Sequence, residues 1–317
     1  MKTVVVTIPG MINPEDIAVL KSTLDVTYHE VESVTEDKLA NLASGAEILM
    51  LNFDVVVNGC KEISPEFWTR GELANLKMVN FDMTGIDWAS PSAAMARGIT
   101  LINIPHYSTQ SVAESVLAEI LLHTRQRHLA YVDRIKGRPV TGRKGMNLSG
   151  RTIGVVGLGS IGSKVAELCE SIGMNVIAWN RSAREGRTIV SLDELFAKSD
   201  VIVIALKTEK EGSNANVGIV GEQLLVQASG VVVVNLANSA LVDEGAMARA
   251  IQAKKVLAYS LDRNENSLAG PLGDLDEVHF PPANAWNSDE SLDTLRLTWV
   301  ANSLCFAKGE PQNLVQL

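Results

Sequence analysis

The sequence predicts an α/β protein made of two Rossmann-like, doubly wound parallel-sheet domains, with a dinucleotide domain inserted into a substrate domain. Three observations predict this. Short apolar, β-branched runs alternate with helical patterns from the first residues onward. Residues 152–180 place Gly157, Gly159 and Gly162, in the order G-x-G-x-x-G, between two such runs. A last helical pattern, 288–308, follows the final strand pattern and is expected to return to the first domain. The expected boundaries are 1–102 plus 284–317 for the substrate domain and 103–283 for the dinucleotide domain.

In chain order, 3–8 reads as a strand, 14–22 as a helix starting behind Asn13, and 26–31 as a strand. Residues 35–43 read as a helix with Thr35 at its start and Glu36 and Asp37 on the positive end of its dipole. Residues 48–53 and 78–81 are strands, 87–97 a helix and 99–102 a short strand. One long helix is expected over 111–136. Its apolar residues go nearly all round near 117–122, which places it between domains or in a homodimer. A polar loop, 137–148, leads to a strand at 153–156, a helix at 161–172 and a strand at 175–179. Ser191 and Glu194 form a capping box that opens a helix to about 199. The runs 201–206, 231–236 and 256–261 are almost wholly apolar, as central parallel strands are. Gly309 and Pro311 stop the last helix.

Each glycine of the motif has a mechanical task. Gly157 permits the tight turn, Gly159 lets a pyrophosphate approach the backbone, and Gly162 lets helix pack on strand. The helix that follows offers free N–H groups and a positive dipole end to phosphates. An acidic residue at the end of the second strand would select the adenosine ribose of NAD. Here Asn180, Arg181 and Ser182 stand there, with Arg184 and Arg187 nearby. No carboxylate repels a 2′-phosphate and a guanidinium can bind one, so NADP(H) is favoured over NAD(H).

Composition narrows the function classes. The 317 residues are 46% hydrophobic and 21% charged, an ordinary soluble α/β balance without a disorder signature. A formal net charge of −9 argues against nucleic acid or an anionic membrane as partner. Cys60, Cys169 and Cys305 lie far apart, giving neither a disulfide framework nor metal spacing, so no metal is expected. The apolar run at the N-terminus is too short for a leader or a span, and a reducing cytoplasm is the expected compartment.

Several segments carry a resemblance: Thr84-Gly-Ile-Asp87, residues 103–114 (NIPHYSTQSVAE), residues 148–162, Ser199-Asp200, Leu241-Val-Asp-Glu244 and residues 309–314. Through them the chain resembles the D-isomer-specific 2-hydroxyacid dehydrogenase family, glyoxylate/hydroxypyruvate reductase-like and phosphoglycerate dehydrogenase-like members included, over almost its whole length. The resemblance implies a homodimer and hydride transfer, in an interdomain cleft, between a nicotinamide cofactor and a small 2-keto or 2-hydroxy acid. It also implies that Thr84, Ser160, Ile161, Leu236, Ala237, Asn238 and Asp262 meet the cofactor, with Leu206 and Lys207 under the adenosine.

The family's catalytic arginine, glutamate and histidine do not align. Asn238 stands at the arginine position, Ser267 at the glutamate position and Ala283 at the histidine position. Glu265 lies two residues short of the glutamate position. His106, in the loop after Pro105, is the remaining acid–base candidate. Met83, Thr84, Gly85, Asn284 and Trp286 are the candidate substrate contacts. His123 and His128 are expected at an interface, and His279 is expected to be structural. Three readings follow. One is an NADPH-dependent reductase acting on an imine, an activated alkene or an unusual carbonyl. Another is an NADP(H)-sensing binding protein without turnover. The last is an ordinary 2-keto acid reductase using substitute residues such as His106.

Overall fold

The computed structural model describes residues 1–209, 213–262 and 270–316. The chain splits into two compact units, Met1–Tyr107 with Ser288–Leu317, and Ser108–Asn287. These divisions fall a few residues after the 102/103 and 283/284 boundaries read from sequence, because the loops that follow the last strand of each sheet stay with that sheet.

The first unit opens with β1 (Lys2–Thr7), α1 (Pro14–Lys21), β2 (Asp25–Glu30), α2 (Glu36–Leu42), β3 (Ile48–Leu51) and α3 (Phe53–Val57). It continues through β4 (Met78–Phe81), α4 (Pro91–Ala96) and β5 (Thr100–Ile102). Local chemistry sets the helix starts. The side chains of Asn13, Thr35 and Asn52 accept from Asp16 N, Lys38 N and Val55 N, the N-cap arrangement. The cap at Asn52 ends β3 earlier than the apolar run suggests. The helix expected over 87–97 is interrupted at Ser90, which adopts a left-handed conformation just before Pro91.

The second unit holds α5 (Thr109–Thr124), α6 (Arg127–Ile135), β6 (Thr152–Val156), α7 (Ser160–Ser171), β7 (Asn175–Trp179), α8 (Leu192–Lys198) and β8 (Val201–Ile204). Then come α9 (Glu222–Leu225), β9 (Val231–Asn235), α10 (Glu244–Gln252), β10 (Val256–Leu261) and β11 (Val278–His279). The single helix expected over 111–136 is two helices. Gln126 sits at φ 56°, outside the right-handed region, so the helical ladder cannot run through it. The chain returns to the first unit as α11 (Asp289–Ala307), opened by a capping box between Ser288 and Ser291.

Both sheets are wholly parallel. Their orders are β2-β1-β3-β4-β5 and β11-β10-β9-β8-β6-β7. Alternate residues feed opposite faces: Val4 and Val6 join one core layer and Val5 the other, and Val201 and Val203 oppose Ile202 and Ile204. Among the described residues, no helix is long and apolar enough to cross a membrane.

Helix α11 is locked to β4 by a buried polar exchange. Asn80 Nδ2 donates to Trp299 O (2.7 Å) and Ser303 Oγ (2.9 Å), and Trp299 Nε1 donates back to Asn80 O (2.8 Å). Trp299 is fully buried. Trp299→Ala is expected to destabilise the protein by about 3–5 kcal/mol, since it opens a cavity and orphans a buried carbonyl. A denaturant midpoint close to that of the parent would refute this.

Candidate dinucleotide and active site

Strand order reverses between β6 and β8, the place where open α/β sheets bind ligands beyond the strands' carboxyl ends. The loops that leave these two strands are packed closely. Gly157 N donates to Trp179 O (2.8 Å) and Ala205 N to Val156 O (2.9 Å). Gly157 has φ +100°, and a Cβ there would lie 2.7 Å from Leu206 Cδ2 and 2.8 Å from Ala205 O. A Cβ on Gly162 would lie 1.9 Å from Gly157 O. A Cβ on Gly159 would meet nothing within 4 Å. Two glycines are therefore required by the protein itself, and the third borders open space at the start of α7, where Ser160 and Ile161 follow.

Asn180 ties the end of β7 to this turn. Its Oδ1 accepts from Leu158 N (3.0 Å), while its Nδ2 donates to Ser182 O (2.9 Å) and Ser182 Oγ (3.2 Å). Arg181 and Arg184 are exposed, and Arg181 donates to Asn214 O (3.0 Å). Arg187 differs from its expected role: it is ion-paired with Glu170 on α7. Lys207 is exposed beyond β8, 4.0 Å from Glu209.

Beyond β9, asparagines build the turn. Ala237 N donates to Asn235 Oδ1 (3.1 Å), and Asn238 Oδ1 caps the following turn by accepting from Ala240 N (2.9 Å). Asn238 is exposed and carries a neutral amide where the family resemblance implies an arginine. Asp262 follows β10. Burial and, secondarily, the charge of Glu119 push its carboxyl up to about 6. Its buried Oδ1 has no hydrogen-bond partner among the described residues, and neither has Thr208 Oγ1 in the loop beyond β8. Orphaned buried polar atoms of this kind leave room for a partner beyond the described residues. With the open space at Gly159, they fit a bound dinucleotide that donates to Asp262. Such a cofactor would be held by Gly157–Gly162, Asn180–Ser182, Leu206, Lys207, Leu236–Asn238 and Asp262, and it would supply the hydride.

Ala283 and Asn284 lie in the loop after β11, where Asn284 N closes a tight turn onto Pro282 O (2.6 Å). Trp286 is 37% exposed, and Ala285 O accepts from Ser115 Oγ (3.2 Å). Ser267 and Glu265 lie outside the described residues. The first unit carries its own set of candidates at the carboxyl ends of β4 and β5. Thr84 Oγ1 donates to Ile104 O (2.7 Å), Asn103 Nδ2 to Thr84 O (2.6 Å), and Ile104 N to Met83 O (3.1 Å). Thr84 and Gly85 are exposed, and His106 is exposed at φ 64°. Asp82 is buried, and burial pushes it up to about 7. It accepts from Asn52 Nδ2 and from Phe53 N (2.8 Å), so it organises the turn after β3.

Sequence reasoning missed one cluster in the second unit. His123 and His128, expected at an interface, and His279, expected to be structural, converge with Glu119 and Ser260. His279 Nδ1 donates to Glu119 Oε2 (2.8 Å), Ser260 Oγ donates to the same oxygen (2.5 Å), and His123 Nε2 lies 2.7 Å from Ser260 Oγ. The His128 and His279 rings are 4.9 Å apart. Burial pushes His123 down to about 4 and lowers His128. Burial alone would raise Glu119, but the bonds from His279 and Ser260 bring it below the usual carboxylate range. The i, i+4 spacing of Glu119 and His123 was the only available signal, and it names no partner.

Comparison with known proteins agrees with this geometry. The sequence profile described as "D-isomer specific 2-hydroxyacid dehydrogenase, NAD binding domain" matches residues 117–285. The D-3-phosphoglycerate dehydrogenase of Archaeoglobus fulgidus is 35% identical over 257 residues, which are 77% of this chain and 48% of that protein. The glycerate dehydrogenase of Methylorubrum extorquens is 28% identical over 305 residues, 91% of this chain and 92% of that one. The chain thus spans about half the length of the D-3-phosphoglycerate dehydrogenases it matches. Among solved structures, an acyclic imino acid reductase (Bsp5) in complex with NADPH and D-Arg aligns with a TM-score of 0.83 at 24% identity, covering 100% of both chains. D-2-hydroxyisocaproate dehydrogenase aligns with a TM-score of 0.82 at 22% identity over 99% of each. At these identities the structures speak to the fold alone. With its two parallel-sheet units, its glycine turn at the switch point and a matching profile over more than half its length, the chain belongs to the D-isomer-specific 2-hydroxyacid dehydrogenase family.

Proposed function

We propose that the protein is an NADP(H)-dependent oxidoreductase that transfers hydride to a substrate other than a simple 2-keto acid: an imine, an activated alkene or an unusual carbonyl. The observation that carries this reading is the contrast within the second unit. A dinucleotide turn and an Asp262 oxygen with no partner among the described residues share this unit with Asn238 and Ala283, which supply neither a cation nor a proton. A ketone needs a proton as its alkoxide develops. A protonated imine does not: hydride adds to carbon, the C=N pair moves to nitrogen, and a neutral amine results. The shared fold of the acyclic imino acid reductase, which is in complex with NADPH and D-Arg, is compatible with such chemistry.

The test follows NADPH absorbance with a panel of imines, activated alkenes, glyoxylate and hydroxypyruvate. Imine or alkene turnover is expected to exceed keto-acid turnover. Efficient glyoxylate reduction abolished by His106→Ala would favour the substitute-residue reading, and tight NADPH binding without turnover on any member would favour a sensor.

Asp262 gives a pH signature. A donor on the cofactor prefers the ionised carboxylate, so NADPH affinity is expected to be constant above about pH 7. It should fall as pH drops through about 6, roughly tenfold per unit below it. The folded pKa lies above the unfolded value of roughly 3.9, so this group's contribution to stability is present below that value and lost as pH rises through about 6. Asp262→Asn should flatten the affinity profile, and an unchanged profile would count against the contact.

We further infer a cytoplasmic homodimer formed through residues 111–136. Leu121, Tyr131 and Ile135 are large exposed apolar side chains on α5 and α6, and the three cysteines are free thiols.

A further inference from the structure

We propose that Glu119, His123 and His279 form a binding site for one zinc-like divalent transition-metal ion, separate from the cofactor turn. One carboxylate oxygen and two imidazole nitrogens lie within 4.8 Å of one another. Two come from one face of α5 at i, i+4 spacing, and the third comes from the edge strand β11. Donor atoms around a tetrahedral ion with bonds near 2.1 Å sit roughly 3.4 Å apart. Here His279 Nδ1 to Glu119 Oε2 is 2.8 Å and His123 Nε2 to Glu119 Oε2 is 3.9 Å, so small adjustments on either side of that spacing would admit the ion.

The donor set is selective by chemistry. Two imidazoles and one carboxylate suit zinc, cobalt or nickel, whereas magnesium and calcium ask for oxygen ligands. Three protein ligands leave a fourth position for water or an exogenous group. Burial is graded in the useful direction. The His123 side chain is 1% exposed, Glu119 12% and His279 29%, so the site has a closed floor and an entry at the sheet edge. Ser260 Oγ, between His123 and Glu119, is placed to support the carboxylate from outside the ligand set. His128 Nε2 lies 3.0 Å from Asp276 O, which keeps this third imidazole as packing against His279.

The test uses the full chain, stripped by a chelator and dialysed, without reference to turnover. Calorimetric titration with zinc chloride is expected to show one equivalent bound, and magnesium chloride none. Cobalt(II) is expected to give the intense visible bands of a four-coordinate ion. Glu119→Gln and His279→Ala should each weaken zinc binding by at least about tenfold. His279 is partly exposed, so its alanine variant is the safer of the two to fold, which circular dichroism checks. Absence of a stoichiometric zinc isotherm overturns the proposal. So does zinc binding that survives both substitutions undiminished, since the ion would then sit elsewhere.

Discussion

Gly159→Val is expected to fold with an unchanged melting temperature, within about 2 °C, and to lose NADPH affinity by about 100-fold or more. The protein has room for the side chain. Gly159 sits at φ −73° and ψ −168°, an extended conformation open to any residue, and a Cβ there meets no atom within 4 Å. The space that the valine fills is the space a pyrophosphate needs at the start of α7. A hundredfold loss corresponds to about 2.7 kcal/mol, well within what displacing a phosphate from its backbone donors costs. Gly157→Val makes the contrast. It must adopt φ +100° against Ala205 O and Leu206, so binding and folding stability should fall together. Calorimetry with NADPH and thermal denaturation of both variants give the comparison. Full affinity in Gly159→Val would remove the dinucleotide site from this turn.

Asn180→Asp is expected to shift cofactor preference from NADPH toward NADH by about 100-fold, through losses on one side and gains on the other. The carboxylate can still accept from Leu158 N, so the turn survives. The two bonds donated to Ser182 are lost at a partly exposed site, a cost on the order of 1 kcal/mol. The new charge repels a 2′-phosphate and accepts from ribose hydroxyls. Arg181→Ala should act on one cofactor only, weakening NADPH by about tenfold or more while leaving NADH unchanged. Its present hydrogen bond to Asn214 O uses one guanidinium nitrogen and leaves the fork available. If the ratio of the two dissociation constants is the same in all three proteins, the choice of NADP(H) is wrong.

Much of the fold was legible because the rules that set it are short-range. The caps at Asn13, Thr35 and Ser191 lie where the side chains predict them, each oxygen accepting from an N–H three residues on, and the structure adds one at Ser288. Apolar runs such as 231–235 could only be buried strands of a parallel sheet. The failures have physical causes as well. Nothing in residues 111–136 announces the break at Gln126, because a left-handed non-glycine residue has no dependable sequence signal. Asn52 reads equally as the tail of an apolar strand or as a helix cap, and Asp82 settles the matter from 30 residues away.

The sequence by itself determined the layered α/β architecture and the position of the glycine turn, and it puts Asn238 and Ala283 where the resemblance implies an arginine and a histidine. Each of these depends on residue identity within one turn or one strand. Only the tertiary structure decided that Arg187 is spent on Glu170, that Asp262 has an oxygen without a partner among the described residues, and that Glu119, His123 and His279 meet. Strand order brings a helix from one end of the second unit against an edge strand 160 residues later. No local pattern encodes that adjacency, because it follows from how the whole sheet is wound.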